Sequence, residues 1–269
     1  MDERIKVEIT NGIADVRMVR AEKMNALDDA MFSALVETGE KLKADASLRV
    51  IVLSGEGRAF CAGLDTSNFA RMSQGGSSKE RPDITRSLAT RTNGIANRAQ
   101  YAVWVWREMP VPVIAAVHGV AFGGGFQIAL GADLRYVAPG TRMSVMEAKW
   151  GLVPDMSGMA IMRRLAREDI VRELTYTARI FTADEALTFG FATRICENPR
   201  EEAFATANEI ARKNPAAIRA AKRIINNYSD ADAGPILLAE STEQEAIIGT
   251  PNQVEAVLSQ LEKRDPRFR

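Results

Sequence analysis

Apolar and polar residues alternate from Ile5 to Thr10, with Ile5, Val7 and Ile9 set against Lys6, Glu8 and Thr10, and the pattern resumes from Ile13 to Val19. Between the two runs stands Asn11-Gly12, a dipeptide favoured in tight hairpin turns, so the period of two predicts an amphipathic β-hairpin. The period then lengthens. Leu27, Met31, Leu35 and Leu42 fall on or near one face of a helix predicted over 26–44. Two short unbroken apolar runs, Arg49 to Leu53 and Val111 to Val117, have the form of buried strands. Past the second run come Gly123, Gly124 and Gly125, followed by Phe126, Ile128, Ala129 and Leu130 in an amphipathic helical pattern. Strand, tight turn and helix start are thus written in order, and packed flanks argue against a flexible linker. After Pro199 the pattern is wholly helical, over 201–213, 216–228, 235–248 and 252–262. Thr250-Pro251-Asn252-Gln253 opens the last of these with an N-cap, a first-turn proline and a capping-box glutamine. Periodicity alone predicts the α/β class.

Composition narrows the function classes. The 269 residues, 46% of them hydrophobic, can bury one large core and a smaller accessory layer. Lys plus Arg and Asp plus Glu both number 35, which gives no general field for nucleic acid or an anionic membrane. No apolar run approaches the roughly 20 residues of a spanning helix. The opening MDERIKVEIT is unlike a secretory or transit peptide. Cys61 and Cys196 are too few for a disulfide scaffold and lack metal-ligand spacing, so a reducing cytoplasm is the expected compartment.

Candidate chemistries divide sharply. Cys61 has no evident base, because the single histidine, His118, sits in a strand-end pattern; Cys-His, Ser-His-Asp and zinc sites are therefore not expected. The glycines are followed by Phe126 and Gln127 rather than Lys-Ser/Thr, and they are contiguous rather than spaced, which speaks against a P-loop and a Rossmann turn. What remains is a helix start at Gly124 whose free N–H groups and positive dipole end suit a developing oxyanion. Beyond it, MEAKWGLVPDMSG carries Glu147 and Asp155 among Val145, Met146, Trp150, Leu152 and Val153, where burial would raise a carboxyl pKa. The competing expectation is that Asp155 caps a helix near Met156 and Glu147 pairs with Lys149 or an arginine. The stretch Ser67 to Met109 is irregular, with a flexible tip at Gln74 to Lys79 and two tryptophans, Trp104 and Trp106, suited to a core or a subunit contact.

The stretches IAAVHGVAFGGGFQIALGADL (Ile114 to Leu134) and AFCAGLD (Ala59 to Asp65) resemble the two oxyanion-hole segments of the enoyl-CoA hydratase/isomerase (crotonase) superfamily, and the resemblance runs from about Ile5 to the C-terminus. It implies a ββα spiral core over 1–199 carrying the acyl-CoA site and a C-terminal helical region over 200–269 that builds trimers, often paired into hexamers. It implies that the N–H groups of Leu64 and Gly124 hold the thioester oxygen, with Ala62, Asp65 and Gly123 among the substrate-binding positions. By the same resemblance Lys23 and Met24, in RAEKMNAL, lie along the nucleotide, and Lys263 reaches a neighbour's phosphates. The apolar residues Ile247, Ile248, Val254, Val257, Leu258 and Leu261 are expected to want a partner surface.

Hydratases of the family hold the attacking water between two glutamates. Here the second is Glu147, but Gln127 stands at the first position, and an amide orients water without accepting its proton. The chain is most similar to the dienoyl-CoA isomerase branch, through ELTYTARIFTADEAL (Glu173 to Leu187), Ala116-Val117-His118-Gly119 and an aspartate matching Asp155. That branch works with two acids at opposite ends of the diene. The resemblance therefore implies an enzyme without cofactor or metal, coenzyme A being carried by the substrate, that isomerises an enoyl- or dienoyl-CoA with Glu147 and Asp155 as proton-handling acids and Gln127 as an orienting amide. The alternative within the family is a 2-enoyl-CoA hydratase; from another class, it is an acyl-CoA-binding protein without chemistry.

Overall fold

A computed structural model describes residues 3–66, 68 and 87–268. The expected Gln74 to Lys79 tip lies outside the described residues. Strands β1 (Ile5–Thr10) and β2 (Ile13–Met18) form the hairpin, with Asn11 and Gly12 both at positive φ (53° and 78°), as a two-residue turn requires. Of the apolar row on β1 only Ile5 is buried; Val7 and Ile9 are exposed because β1 is the edge of its sheet. Helix α1 (Asp29–Lys43) starts later than the pattern suggests, since Asp28 caps it by accepting from Met31 N; Met31, Leu35 and Leu42 are buried as predicted. Strand β3 (Val50–Gly55), helix α2 (Arg98–Arg107), β4 (Val113–Val117) and β5 (Val120–Phe122) follow. Trp104 and Trp106 on α2 belong to the core.

Helix α3 (Gly124–Gly131) is buried at all eight positions, so it is a core helix rather than the amphipathic one expected. The chain continues through β6 (Leu134–Val137), β7 (Arg142–Ser144), a 3-10 turn (Met146–Trp150), α4 (Gly158–Leu165), α5 (Glu168–Thr177), β8 (Phe181–Thr182), α6 (Ala183–Phe189) and β9 (Arg194–Ile195). Four helices end it: α7 (Pro199–Ala211), α8 (Pro215–Ser229), α9 (Ala233–Ile247) and α10 (Pro251–Glu262).

Six strands form one sheet in the order β1-β2-β3-β4-β6-β9, parallel from β2 onward, and β5-β7-β8 form a second. Both faces of the larger sheet are covered, which is why β3 and β4 read as unbroken apolar runs. One face, with Ile51, Leu53, Val113 and Ala115, joins the main core with α1, α2 and α3. The other, with Val50, Val52, Ile114 and Ala116, is closed by Ala203 and Ala207 of α7.

The helices from residue 200 onward, expected as an assembly layer, also make contacts within the chain. α7 seals the sheet, α9 packs on α4 with Leu237 in the main core, and α10 packs on the 3-10 turn. Val257, expected to seek a partner surface, is buried against Leu152 of its own chain with Leu64, Trp150 and Ile248 around it.

Candidate active site

Strands β3 and β4 are parallel neighbours, with Ser54 opposite Ala116, so the chain leaves both at the same sheet end. The two outgoing segments stay together. Phe60 N donates to His118 O (2.9 Å), Cys61 N to Val120 O (3.1 Å) and Phe122 N to Cys61 O (3.1 Å). At Gly63, with φ +85°, a Cβ would stand 2.5 Å from Phe122 O and 3.7 Å from Gly124 N, so glycine permits the close approach of AFCAGLD to the triple glycine. The triple glycine itself is packed from two sides: a Cβ on Gly124 would meet Leu27 Cδ1 and Met156 Sδ at 2.7 Å, and one on Gly125 would meet Cys61 O at 2.3 Å.

This geometry leaves two N–H groups over. Leu27 N donates to Gly63 O (2.8 Å) and Asp65 N to Leu27 O (3.0 Å), a parallel bridge that skips the N–H of Leu64. Gly124 N belongs to the first residue of α3, where no preceding turn offers an acceptor. Among the described residues neither group has a protein acceptor.

Beside these donors runs the segment Arg20 to Leu27. Met24, in the left-handed region, accepts from Ala62 N (2.9 Å), and Asp65 is buried in an ion pair with Arg20 (2.6 Å). Asn25 organises the join: its Nδ2 donates to Glu56 O, Ala59 O and Phe60 O at 3.0, 2.9 and 3.1 Å, while its Oδ1 accepts from Arg20 N (3.0 Å). Lys23 is exposed at the edge of this segment. Lys263 is exposed at the end of α10, where its backbone N–H donates to Ser259 O, and among the described residues its side chain makes no hydrogen bond or ion pair. Cys61 donates to Asn25 O, and burial pushes its thiol up to about 12, which leaves it no nucleophile.

Glu147 lies in the 3-10 turn with 9% of its surface exposed. Its Oε1 accepts from Gln127 Nε2 (2.7 Å) and would stand 3.1 Å from a Cβ on Gly123; Oε2 is buried with no hydrogen-bond partner among the described residues. Burial pushes its carboxyl up to about 8, with the Gln127 bond opposing and the Asp155 charge assisting. Asp155, half-buried, is pushed by burial up to about 7, against a hydrogen bond from Gln244. Neither acid takes the alternative role expected of it. Among the described residues Glu147 has no lysine or arginine partner, and α4 begins at Gly158 after Ser157 with no cap from Asp155.

Gln127, expected as an orienting amide, is engaged at both its oxygen and its nitrogen. Its Oε1 accepts from Met156 N (3.0 Å) and Gly158 N (2.8 Å), and its amide is spent on Glu147, leaving one hydrogen over. Gln127 is buried completely and ties Glu147 to the loop that carries Asp155.

Three further residues escape the sequence analysis. Glu240 of α9 caps α4, its Oε1 accepting from Met159 N (3.0 Å) and Ala160 N (3.3 Å) and its Oε2 from Ser157 N (3.0 Å) and Gln100 Nε2 (3.1 Å). Burial pushes Glu240 up to about 8 against those donors. Gln244 accepts from Val153 N (3.0 Å). Asn25 alone had a local signal, its place within RAEKMNAL; Glu240 and Gln244 come from a distant helix, and nothing near them in sequence marks them. Among the described residues no three His, Cys, Asp or Glu side chains gather to hold a metal ion, and no helix is long and apolar enough to cross a membrane.

Comparison with known proteins gives the family. Residues 8–269 match the family model described as enoyl-CoA hydratase/isomerase. The human mitochondrial methylglutaconyl-CoA hydratase is 31% identical over 269 residues, covering 97% of this chain and 75% of that protein. The mitochondrial Delta(3,5)-Delta(2,4)-dienoyl-CoA isomerase of Rattus norvegicus is 30% identical over 262 residues, covering 95% and 78%. Among solved structures, an enoyl-CoA hydratase/isomerase from Pseudoalteromonas atlantica superposes with a TM-score of 0.85 over 99% of this chain and 100% of the other at 23% identity, which shows the shared fold. With two N–H donors left over among the described residues at one sheet end, a buried Glu147, a half-buried Asp155 in the loop that Gln127 ties to it, and a family match over nearly its whole length, the chain belongs to the enoyl-CoA hydratase/isomerase family.

Proposed function

We propose that this enzyme isomerises the double bond of an enoyl- or dienoyl-CoA thioester, Glu147 and Asp155 exchanging protons with the acyl chain while the N–H groups of Leu64 and Gly124 hold the enolate oxygen. The observation that carries the proposal is the state of Glu147. One oxygen is gripped by Gln127, and the other is buried and has no hydrogen-bond partner among the described residues. In the native fold such an atom is costly, and substrate chemistry gives it a purpose.

Two N–H donors at Leu64 and Gly124 lower the cost of removing a proton beside the thioester carbonyl by stabilising the oxyanion. In the share of molecules in which it is ionised, Glu147 takes that proton on Oε2. Asp155, raised toward neutrality, carries a proton at physiological pH in a share of molecules and returns one to a carbon further along the chain. No net charge or cofactor is consumed. Ala62, Asp65, Gly123, Lys23 and Met24 belong to the thioester and nucleotide side of the site, and a homotrimer or hexamer would bring Lys263 to a neighbouring subunit.

Hydration of a 2-enoyl-CoA is the second reading, favoured by the 31% identity to a methylglutaconyl-CoA hydratase. Against it stands Gln127, whose amide is engaged with Glu147 and cannot take a proton from water. A binding protein without chemistry would have no use for two raised acids. The test is incubation with 2-enoyl-, 3-enoyl- and 3,5-dienoyl-CoA esters, followed by mass and ultraviolet absorbance. Turnover of the 3-enoyl or dienoyl ester faster than hydration supports isomerisation; hydration alone would replace it.

A further inference from the structure

Unmatched positive charge gathers at the far end of β3. Arg49 immediately precedes that strand, whose six residues place it roughly 20 Å from the sheet end that carries the two oxyanion segments. There a cavity of about 400 Å³ is lined by Ser47, Arg49, Pro215, Arg219 and Arg223 with two alanines, and a crevice that shares Arg49, Pro215 and Arg219 with it adds Lys213. No Asp or Glu lines either one. Arg49 and Arg219 are half-buried, Arg223 and Lys213 exposed, and among the described residues none of the four makes an ion pair. Elsewhere the charges around α8 are matched: Lys222 pairs with Asp133 at 2.7 Å, and Asp230, just past the helix, with Arg107 at 2.8 Å. Arg219 is also held in place. Its Nη2 donates to Ala46 O and Leu48 O at 2.9 Å each, and Nε is buried with no hydrogen-bond partner among the described residues, which leaves Nη1 unspent.

We propose that this cavity binds a phosphate dianion, free or as the terminal group of a small ester, at a site apart from the oxyanion donors and both acids. Like charges that face one another without a counterion repel, and a bound anion relieves that cost. Guanidinium forks match phosphate oxygens two at a time and stay charged at every working pH. Three of them suit the nearly double charge of a phosphate better than the single charge of a carboxylate. The volume exceeds that of a bare ion and falls among small-ligand pockets of about 300 to 1,000 Å³, so there is room for the body of an ester. The helix end adds little to this charge, because Asn214 Oδ1 already accepts from Ala216 N (2.9 Å) and Ala217 N (3.4 Å). Asp45, the carboxylate nearest Arg49 in sequence, accepts from Ser47 N (2.8 Å) and Oγ (2.6 Å) and does not line the cavity.

The test is calorimetric titration of the full-length protein, in chloride buffer and without acyl-CoA, with inorganic phosphate, AMP and acetate. Arg49 and Arg223 line the cavity without a side-chain hydrogen bond among the described residues, so Arg49→Gln and Arg223→Gln each remove one charge and leave the fold's own bonds in place; Arg219→Gln would also release Ala46 O and Leu48 O. Each of the first two variants is expected to bind phosphate about tenfold more weakly than native protein, the loss of one charge-assisted hydrogen bond. Lys23→Gln, on the nucleotide side of the acyl-CoA site, is expected to bind it like native protein. AMP binding more tightly than phosphate assigns the cavity to an ester, and phosphate binding as tightly as AMP assigns it to the free ion. No phosphate binding by native protein, unchanged affinity in both arginine variants, or acetate binding as tightly as phosphate overturns the proposal.

Discussion

Gln127 Nε2 lies 2.7 Å from Glu147 Oε1, and the amide cannot turn over, because its own oxygen already accepts from Met156 N and Gly158 N. The bond fixes which carboxyl oxygen is free. Gln127→Leu is expected to lower the isomerisation rate by about tenfold, the worth of roughly 1.4 kcal/mol, with KM little changed. Gln127→Glu instead puts a second carboxyl against the first, and the two must share a proton. That variant is expected to raise hydration relative to isomerisation, which the ratio of the two rates on one enzyme preparation measures.

The oxyanion assignment turns on a backbone atom. Leu64→Pro removes the N–H that makes no bond among the described residues, whereas Leu64→Ala keeps it and trims the side chain that packs near Leu152 and Val257. The proline variant is expected to lose about 2.7 to 4 kcal/mol of transition-state stabilisation, or roughly 100- to 1,000-fold in kcat, beyond the alanine one. Equal turnover by the two folded variants would remove Leu64 from the site.

Burying Glu147 costs stability, and the sign is fixed by its raised pKa. Between its ordinary value of 4.5 and about 8 the folded protein holds a proton that the unfolded chain has lost, so this group's contribution falls as pH rises through that interval. Asp155 acts in the same direction between 3.8 and about 7. Glu147→Gln, which cannot ionise, is expected to abolish both isomerisation and hydration yet to melt higher than native protein above pH 8. Thermal unfolding of the two proteins from pH 5 to 9 measures it.

Isomerisation by two acids needs one of them charged and the other neutral. With Glu147 and Asp155 raised to about 8 and about 7, the singly protonated pair is most populated near neutral pH, mainly with the proton on Glu147; the reactive form with the proton on Asp155 is a minor share of the same pair, so the rate is expected to be bell-shaped around neutrality. Asp155→Asn is expected to flatten the profile and to harm dienoyl isomerisation more than proton exchange at the alpha carbon. Deuterium incorporation beside the thioester separates the two.

Assembly is predicted from what α8 leaves uncovered. Ile224 and Ile225 are 59% and 61% exposed, neighbours on one helix and too apolar for a free surface. Light scattering on dilute protein is expected to give a trimer or hexamer, and Ile225→Glu to shift it toward smaller species.

Periodicity and motif went far here. The hairpin at Asn11-Gly12, the buried strands β3 and β4, the start of α3 at the glycines and all four C-terminal helices are local facts, set by turn chemistry, capping and the spacing of apolar residues within each segment. The presence of Glu147 and Asp155 among apolar neighbours was legible too. Their partners were not. Whether Glu147 meets a lysine or Gln127 depends on how α3 lies against the 3-10 turn, and whether Asp155 caps α4 depends on Glu240 reaching that helix end from α9 first. The same holds for Val257, whose apolar face is covered by Leu152 of its own chain rather than by a partner. A side chain's type is written in the sequence, but which atom satisfies it is decided by competition among groups that only packing brings together, and in a buried site that competition sets both proton affinity and direction.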